Sequence, residues 1–272
     1  MAEYLAKSED LTAVADAIRA KGGTDAQLTF PGGFVGAVQA IPTGTTITDG
    51  IVVKERNTDG YATEVDFYGS EIKQSQFGAN SHTITGLSYV KQVNFMSPVT
   101  KVGARAFAVN LSVGKAAPIP LEITEVGDLA YASSGYVSCD FPVAVTHLPD
   151  NLVSNCKALK TFTAPGAESL RTHGGNGNGQ FLNCVALETC NLGSAGHAVT
   201  YIPTWSFRGC TQAELTITVY TSGDYVDTAV SNIRNGATNA TIIIKAAADT
   251  TYNGAAYAAG STILTSIPEA ST

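Results

Sequence analysis

Apolar and polar positions change their period twice along this 272-residue chain. In the first segment Leu11, Val14, Ala15 and Ile18 recur at i, i+3, i+4 and i+7, one stripe of a helix. Ser8 stands at the N-cap position with Glu9 and Asp10 behind it, and Gly22-Gly23 closes the element. "FPGGFVGAVQAI" repeats the logic with Phe34, Val38 and Ile41 on one face. Residues 1–43 are therefore predicted to form a small helical hairpin. A hairpin this short cannot bury its own apolar face. The stripe Leu11, Val14, Ile18, Phe34, Val38 and Ile41 is expected to serve attachment or oligomerisation.

Residues 44–95 switch to period two. "IVVKE" and "YATEVDFY" flank "RNTDG", whose Asp59-Gly60 is a strong hairpin signal. Alternation places Tyr61, Thr63, Val65 and Phe67 on one face, with Ala62, Glu64, Asp66 and Tyr68 on the other. This is a short antiparallel β element, and "GLSYVKQVNF" reads as a strand leading onward.

Residues 96–220 hold a repeat. "VTKVGARAFAVN" from Val99, "ITEVGDLAYASS" from Ile123, "VTHLPDNLVSNC" from Val145 and "VTYIPTWSFRGC" from Val199 align without gaps. Each opens with a β-branched residue and Thr, carries an apolar residue at the fourth place and Gly or Pro at the fifth. An apolar or aromatic residue fills the ninth place (Phe107, Tyr131, Val153, Phe207), and a small one the twelfth (Asn110, Ser134, Cys156, Cys210). A further copy ends in "FLNC" at Cys184, its first half displaced by the glycine-rich "HGGNGNGQ". Self-similarity at this length signals stacked coils that share one core. The cysteine column then reads as small apolar side chains at a tight inward turn. Residues 221–272 would form a C-terminal cap, with a short helix carrying Val226, Val230 and Ile233.

The pattern V-x-x-I-G-x-x-A-F-x-x-C-x-x-L resembles the BspA-type leucine-rich repeat, with "VTKVGARAF", "FLNCVALETCNL" and "SFRGC" close to it. The resemblance implies a mixed α+β, mainly β fold: an irregular leucine-rich-repeat solenoid preceded by the helical hairpin and the antiparallel element. The segment "YLAKSEDLTAVADAIRAKGGTDAQLTFPGGFVGAVQAI" is similar to a module that opens tail and other virion proteins of phages infecting Gram-positive bacteria. It implies a structural protein of the virion, assembled in the bacterial cytoplasm, with other virion proteins and copies of itself as partners. The alternative is a bacterial cell-surface or secreted BspA-like adhesin.

Composition narrows the chemistry. Charged residues make up 14% of the chain with a net charge of −7, and no basic stripe exists for nucleic acid. No apolar run reaches the ~18 residues of a membrane span, and "MAEYLAKSEDL" lacks the basic and apolar regions of a secretory signal. The five cysteines show neither a CxxC pair nor closely spaced histidines, so no metal site or cofactor is expected. "HGGNGNG" lacks the lysine and following helix of a phosphate cradle and reads as a projecting loop.

A polysaccharide-degrading enzyme would need two carboxylates about 5–10 Å apart. No pair of acids between residues 96 and 220 is recognised as an acid–base pair, and no Ser/His/Asp set is recognisable, so no catalytic residue is assigned. What remains is binding. The third and seventh places vary, and Lys101, Arg105, Glu125, His147, Asn151, Tyr201 and Trp205 form a candidate recognition face toward a host-surface glycan or protein, the alternative being ordinary solvated columns with Trp205 buried.

Overall fold

A computed structural model describes residues 50–77, 87, 90–109, 114–171 and 179–268. These belong to one compact unit, Thr48–Thr272. The predicted helical hairpin with its stripe Leu11, Val14, Ile18, Phe34, Val38 and Ile41 lies outside the described residues, as does the glycine-rich loop at 172–178.

The period-two segment forms the expected hairpin. Strand β1 (Ile51–Arg56) pairs antiparallel with β2 (Ala62–Phe67), and the Asn57 carboxamide accepts the Asp59 and Tyr61 amides at the turn. Strict alternation fails at its start. Register shifts around Glu55 turn Ala62 inward, while Tyr61 stays exposed.

The stack begins earlier than residue 96. Strand β3 (Glu71–Ile72) and the single-turn helix α1 (Gln74–Phe77) are followed by β4 (Gln92–Phe95), which joins β2 in parallel. Strands β5 (Lys101–Val102) and β6 (Glu125–Val126) continue from β3 in parallel, with Glu71, Lys101 and Glu125 in one register. Glu71, Ile72 and Phe77 thus occupy the third, fourth and ninth places of an additional first coil. Its segment "GSEIKQSQF" has Gly at the first place and Lys at the fifth, so the motif does not show there.

Beyond β7 (Ser138–Asp140), strand β8 (His147–Leu148) precedes β9 (Thr161–Ala164), and β10 (Ser169–Leu170) pairs back on β8. Ser169 also bridges to Tyr201. The first half of the interrupted copy is therefore present as Ala167–Arg171, and the glycine-rich insert follows it rather than replacing it. Buried Gln180 closes the far side: its Nε2 donates to the Arg171 carbonyl, and its Oε1 lies 3.2 Å from Ser206 Oγ.

Strands β11 (Thr189–Leu192) and β12 (Thr216–Thr221), helix α2 (Val226–Gly236) and β13 (Thr241–Ala246) follow. After the small hairpin β14 (Thr250–Tyr252) and β15 (Ala255–Tyr257), β16 (Thr262–Ser266) lies antiparallel on β13 and ends the six-stranded sheet β16-β13-β12-β11-β9-β7. Inward rows of this sheet are apolar (Cys139, Phe162, Cys190, Ile217, Ile242), and outward rows polar (Ser138, Thr161, Thr189, Thr216, Thr241). The fold is mainly β with few helices. In α2, Val226 and Ile233 are buried as expected, with Ala229 beside them, and Val230 is half-buried.

Opposite the strands each copy makes a run of turns, and the backbone there bonds from coil to coil. The ninth-place amides of Phe107, Tyr131, Val153 and Phe181 donate to the eighth-place carbonyls of Ala130, Leu152, Gln180 and Ser206, at 2.7–3.1 Å. Seventh- and eleventh-place amides do likewise, Arg105 to Asp128 and Asn155 to Leu182 among them. Aiming these amides along the stack requires left-handed backbone at Arg105, Leu129 and Asn151 and at Val109, Ser133, Asn155 and Asn183. Gly209 continues the eleventh-place column at φ 79, where a Cβ would sit 2.4 Å from Asn183 Oδ1.

The ninth-place residues Phe77, Phe107, Tyr131, Val153, Phe181 and Phe207 are all fully buried. Phe107 stacks on Tyr131 at 5.2 Å and Phe181 on Phe207 at 4.7 Å between ring centroids. Where Val153 interrupts the rings, Phe141 and Phe162 carry the contact around it, from Tyr131 at 5.9 Å to Phe181 at 4.7 Å.

Candidate recognition face

The third places form ladders on the strands. Glu71, Lys101 and Glu125 lie side by side, and Lys101 Nζ pairs with Glu71 at 3.4 Å and Glu125 at 3.7 Å. Exposed pairs of this kind contribute about 0–1 kcal/mol. Their main effect is that the Lys101 ammonium is shared between two carboxylates instead of facing outward unpaired. The second ladder is His147, Ser169 and Tyr201. His147 Nδ1 lies 2.8 Å from Ser169 Oγ, and Tyr201 is 49% exposed at the end.

The seventh places do not form a uniform row. Arg105, Leu129 and Asn151 share the left-handed backbone that the turn ladder demands, whereas Trp205 does not. Trp205 belongs to the last copy, behind which comes α2 rather than another turn. Its indole is 42% exposed, and the Arg208 guanidinium carbon lies 4.6 Å from its ring centroid. The predicted residues are thus brought together in two groups, Lys101 with Glu125 and His147 with Tyr201, while Arg105, Asn151 and Trp205 sit at the turns.

Glu71, Ser169 and Arg208 were missed by sequence reasoning. Glu71 and Ser169 fall in copies whose motif is degraded or interrupted. Arg208 could have been found from its i+3 spacing to the one tryptophan.

The cysteine column does more than fill space. Cys156, Cys184 and Cys210 donate their thiols to the ninth-place carbonyls of Tyr131, Val153 and Phe181 in the preceding coil, at 3.0–3.1 Å. Ser134 occupies the same place in its copy, with Oγ 3.3 Å from Cys156 Sγ. The place therefore selects a small side chain carrying a donor. Cys139 and Cys190 belong to the sheet instead. All five are free and buried. Burial pushes their thiols up, Cys210 to about 12, so the nucleophilic thiolate is suppressed.

Four of the acids have structural partners, and Asp128 and Asp150, which share the sixth place of adjacent copies, meet through a backbone amide. Glu125 pairs with Lys101, Asp128 accepts the Asp150 amide at 3.2 Å, Glu188 pairs with Lys160, and Glu168 lies 3.4 Å from His197. A cleft of about 470 Å³ is lined by Met96, Pro98, Pro120 and Leu121, with Glu122 as the one carboxylate among the described lining residues. Among the described residues no group of His, Cys, Asp or Glu is placed to hold a metal ion.

A family model of BspA type leucine rich repeat regions matches six copies across residues 80–216. This chain belongs to that family. A comparison with curated proteins gives no match. Among solved structures, a leucine rich cell surface protein from Faecalibacterium prausnitzii A2-165 is similar at 18% identity and a TM-score of 0.42. The similarity covers 69% of this chain and 44% of that one, so this BspA-type chain spans less than half the length of its structural neighbour.

These findings overturn the expected location in a virion. The family match leads to BspA-type repeats, and nothing found points to a particle component. The family match starts at residue 80, and nothing found supports the likeness of residues 1–43 to a virion module.

Proposed function

We propose that this BspA-type protein is a non-catalytic adhesin of the cell-surface or secreted kind, an irregular solenoid that presents its variable places to a binding partner. One observation carries the reading. The recurrent first, fourth, ninth and twelfth places are consumed by the core and by coil-to-coil hydrogen bonds, while the variable third and seventh places hold the exposed Tyr201 and Trp205. Trp and Tyr are over-represented among the side chains that anchor recognition. Family membership supports the same reading.

The test is adhesion of the full chain to bacterial and host-cell surfaces, with Tyr201→Ala/Trp205→Ala compared against Lys101→Ala/Glu125→Ala. The aromatic pair should reduce retention by about tenfold, corresponding to ~1.4 kcal/mol. The charge pair should change it little, since those groups neutralise each other. Undiminished adhesion in the aromatic variant, or release of reducing sugars from the surface, would overturn the proposal.

A further inference from the structure

The last coil offers a ligand site of definite chemistry. Trp205 is the chain's one tryptophan and keeps 42% of its surface exposed. Arg208 stacks on it at 4.6 Å. Among the described residues the Arg208 side chain makes no ion pair and no hydrogen bond, so its donors are uncommitted. A guanidinium over an aromatic face still carries five N–H donors in a rigid planar fork that matches a carboxylate.

The backbone beneath this pair is clamped on both sides. The Ile202 amide donates to Tyr225 Oη at 2.6 Å, and Asn232 Nδ2 donates to the Ile202 carbonyl at 2.8 Å. Ser206 Oγ donates to the Pro203 carbonyl at 2.8 Å, and the Arg208 amide donates to that of Trp205 at 3.1 Å. Gly236 of α2 fits so closely that a Cβ there would lie 2.8 Å from the Arg208 nitrogen. A platform held this way loses little conformational freedom when a ligand arrives.

We propose that Trp205 and Arg208 bind an acidic sugar, the flat C–H face of the pyranose on the indole and its carboxylate in the guanidinium fork. Charge decides between acidic and neutral sugars. The Arg208 guanidinium, with no acidic partner among the described residues, sets a positive group beside the indole and favours an anionic sugar over a neutral one. A bidentate Arg–carboxylate contact adds geometric selectivity that a point charge lacks. This assignment rests on the adhesin reading and names the ligand class of the same face.

Because Trp205 is the one indole, intrinsic fluorescence of the full chain reports the site directly. Methyl β-glucuronide and methyl β-glucoside differ only in the carboxylate and serve as probes. The glucuronide should give a saturable fluorescence change, the glucoside a binding constant about tenfold weaker, and added salt should narrow the gap. Arg208→Gln should erase the preference, and Arg208→Lys should recover only part of it. For Trp205→Phe, ligand-detected NMR replaces fluorescence and should show weakened binding of both sugars.

Equal binding of the two sugars, no saturable response to the glucuronide, or an unchanged preference in Arg208→Gln would overturn the assignment. If adhesion still depends on Tyr201 and Trp205 while the glucuronide gives no response, the ligand class is wrong and the adhesin reading stands. If the glucuronide binds while adhesion is indifferent to Tyr201 and Trp205, the reverse holds.

Discussion

Replacing Phe181 by Ala tests the shared core where two coils meet most closely. Phe181 is fully buried, with its ring centroid 4.7 Å from Phe162 in an edge contact and 4.7 Å from Phe207 in a stack only 6° from parallel. Truncating a buried Phe costs about 3–5 kcal/mol through lost transfer energy and the cavity left behind. Ring pairs of this geometry add about 0.5–1.5 kcal/mol each, part of it already counted in that range. The expected loss is therefore about 4 kcal/mol, which in a unit of this size lowers Tm by roughly 8–16 °C.

Urea unfolding followed by far-UV circular dichroism and by Trp205 fluorescence gives the measurement, with coincident curves licensing a two-state treatment. Phe181→Leu, which keeps most of the volume, should lose only about 1 kcal/mol and secures a folded variant for comparison. The Phe181→Ala/Phe207→Ala cycle should show coupling of about 0.5–1.5 kcal/mol. A loss below about 1 kcal/mol for Phe181→Ala, or strictly additive single effects, would refute the claim that ninth-place side chains of successive coils share one interior.

Two further outcomes follow from buried groups. The Cys210 thiol is pushed by burial from an ordinary 9.0 to about 12, so above pH 9 the unfolded chain has released a proton that the folded one retains. Its contribution to stability is complete below pH 9 and is lost as pH rises toward 12, at up to about 1.4 kcal/mol per pH unit. Urea midpoints should fall from pH 8 to pH 10.5, and less so for Cys210→Ser; a flat profile contradicts the shift. Tyr136 is fully buried, and its hydroxyl has no hydrogen-bond partner among the described residues. Tyr136→Phe should therefore stabilise the protein by about 1 kcal/mol in the same urea assay, and destabilisation of that size would show that the hydroxyl is satisfied.

Much of the architecture was legible because a repeat writes the same physical demand several times. Phe107, Tyr131, Val153 and Phe207 announced a common buried row, and Asp59-Gly60 announced the hairpin. The coil at Glu71–Phe77 was not legible, since an end copy needs to match only one neighbour and its motif is relaxed. Ala167–Arg171 was hidden by the glycine-rich insert, because an alignment without gaps cannot cross it. The Ala62 face was misassigned because irregular pairing beside Glu55 breaks strict alternation, and period-two patterning has no means of signalling that.

By itself, the amino-acid pattern marked the first, fourth and ninth places of the four aligned copies as apolar and the third and seventh as variable. Those are local properties, readable from residue type and spacing. Only the tertiary structure decided that Lys101 spends its charge on Glu71 and Glu125, that the thiols of Cys156, Cys184 and Cys210 donate to the preceding coil, and that Arg208 lies on Trp205. Each of these depends on which atom of a neighbouring coil or turn lies within bonding distance. That is set by the register of the stack and by α2 following the final copy, and neither is written in the spacing of any single repeat.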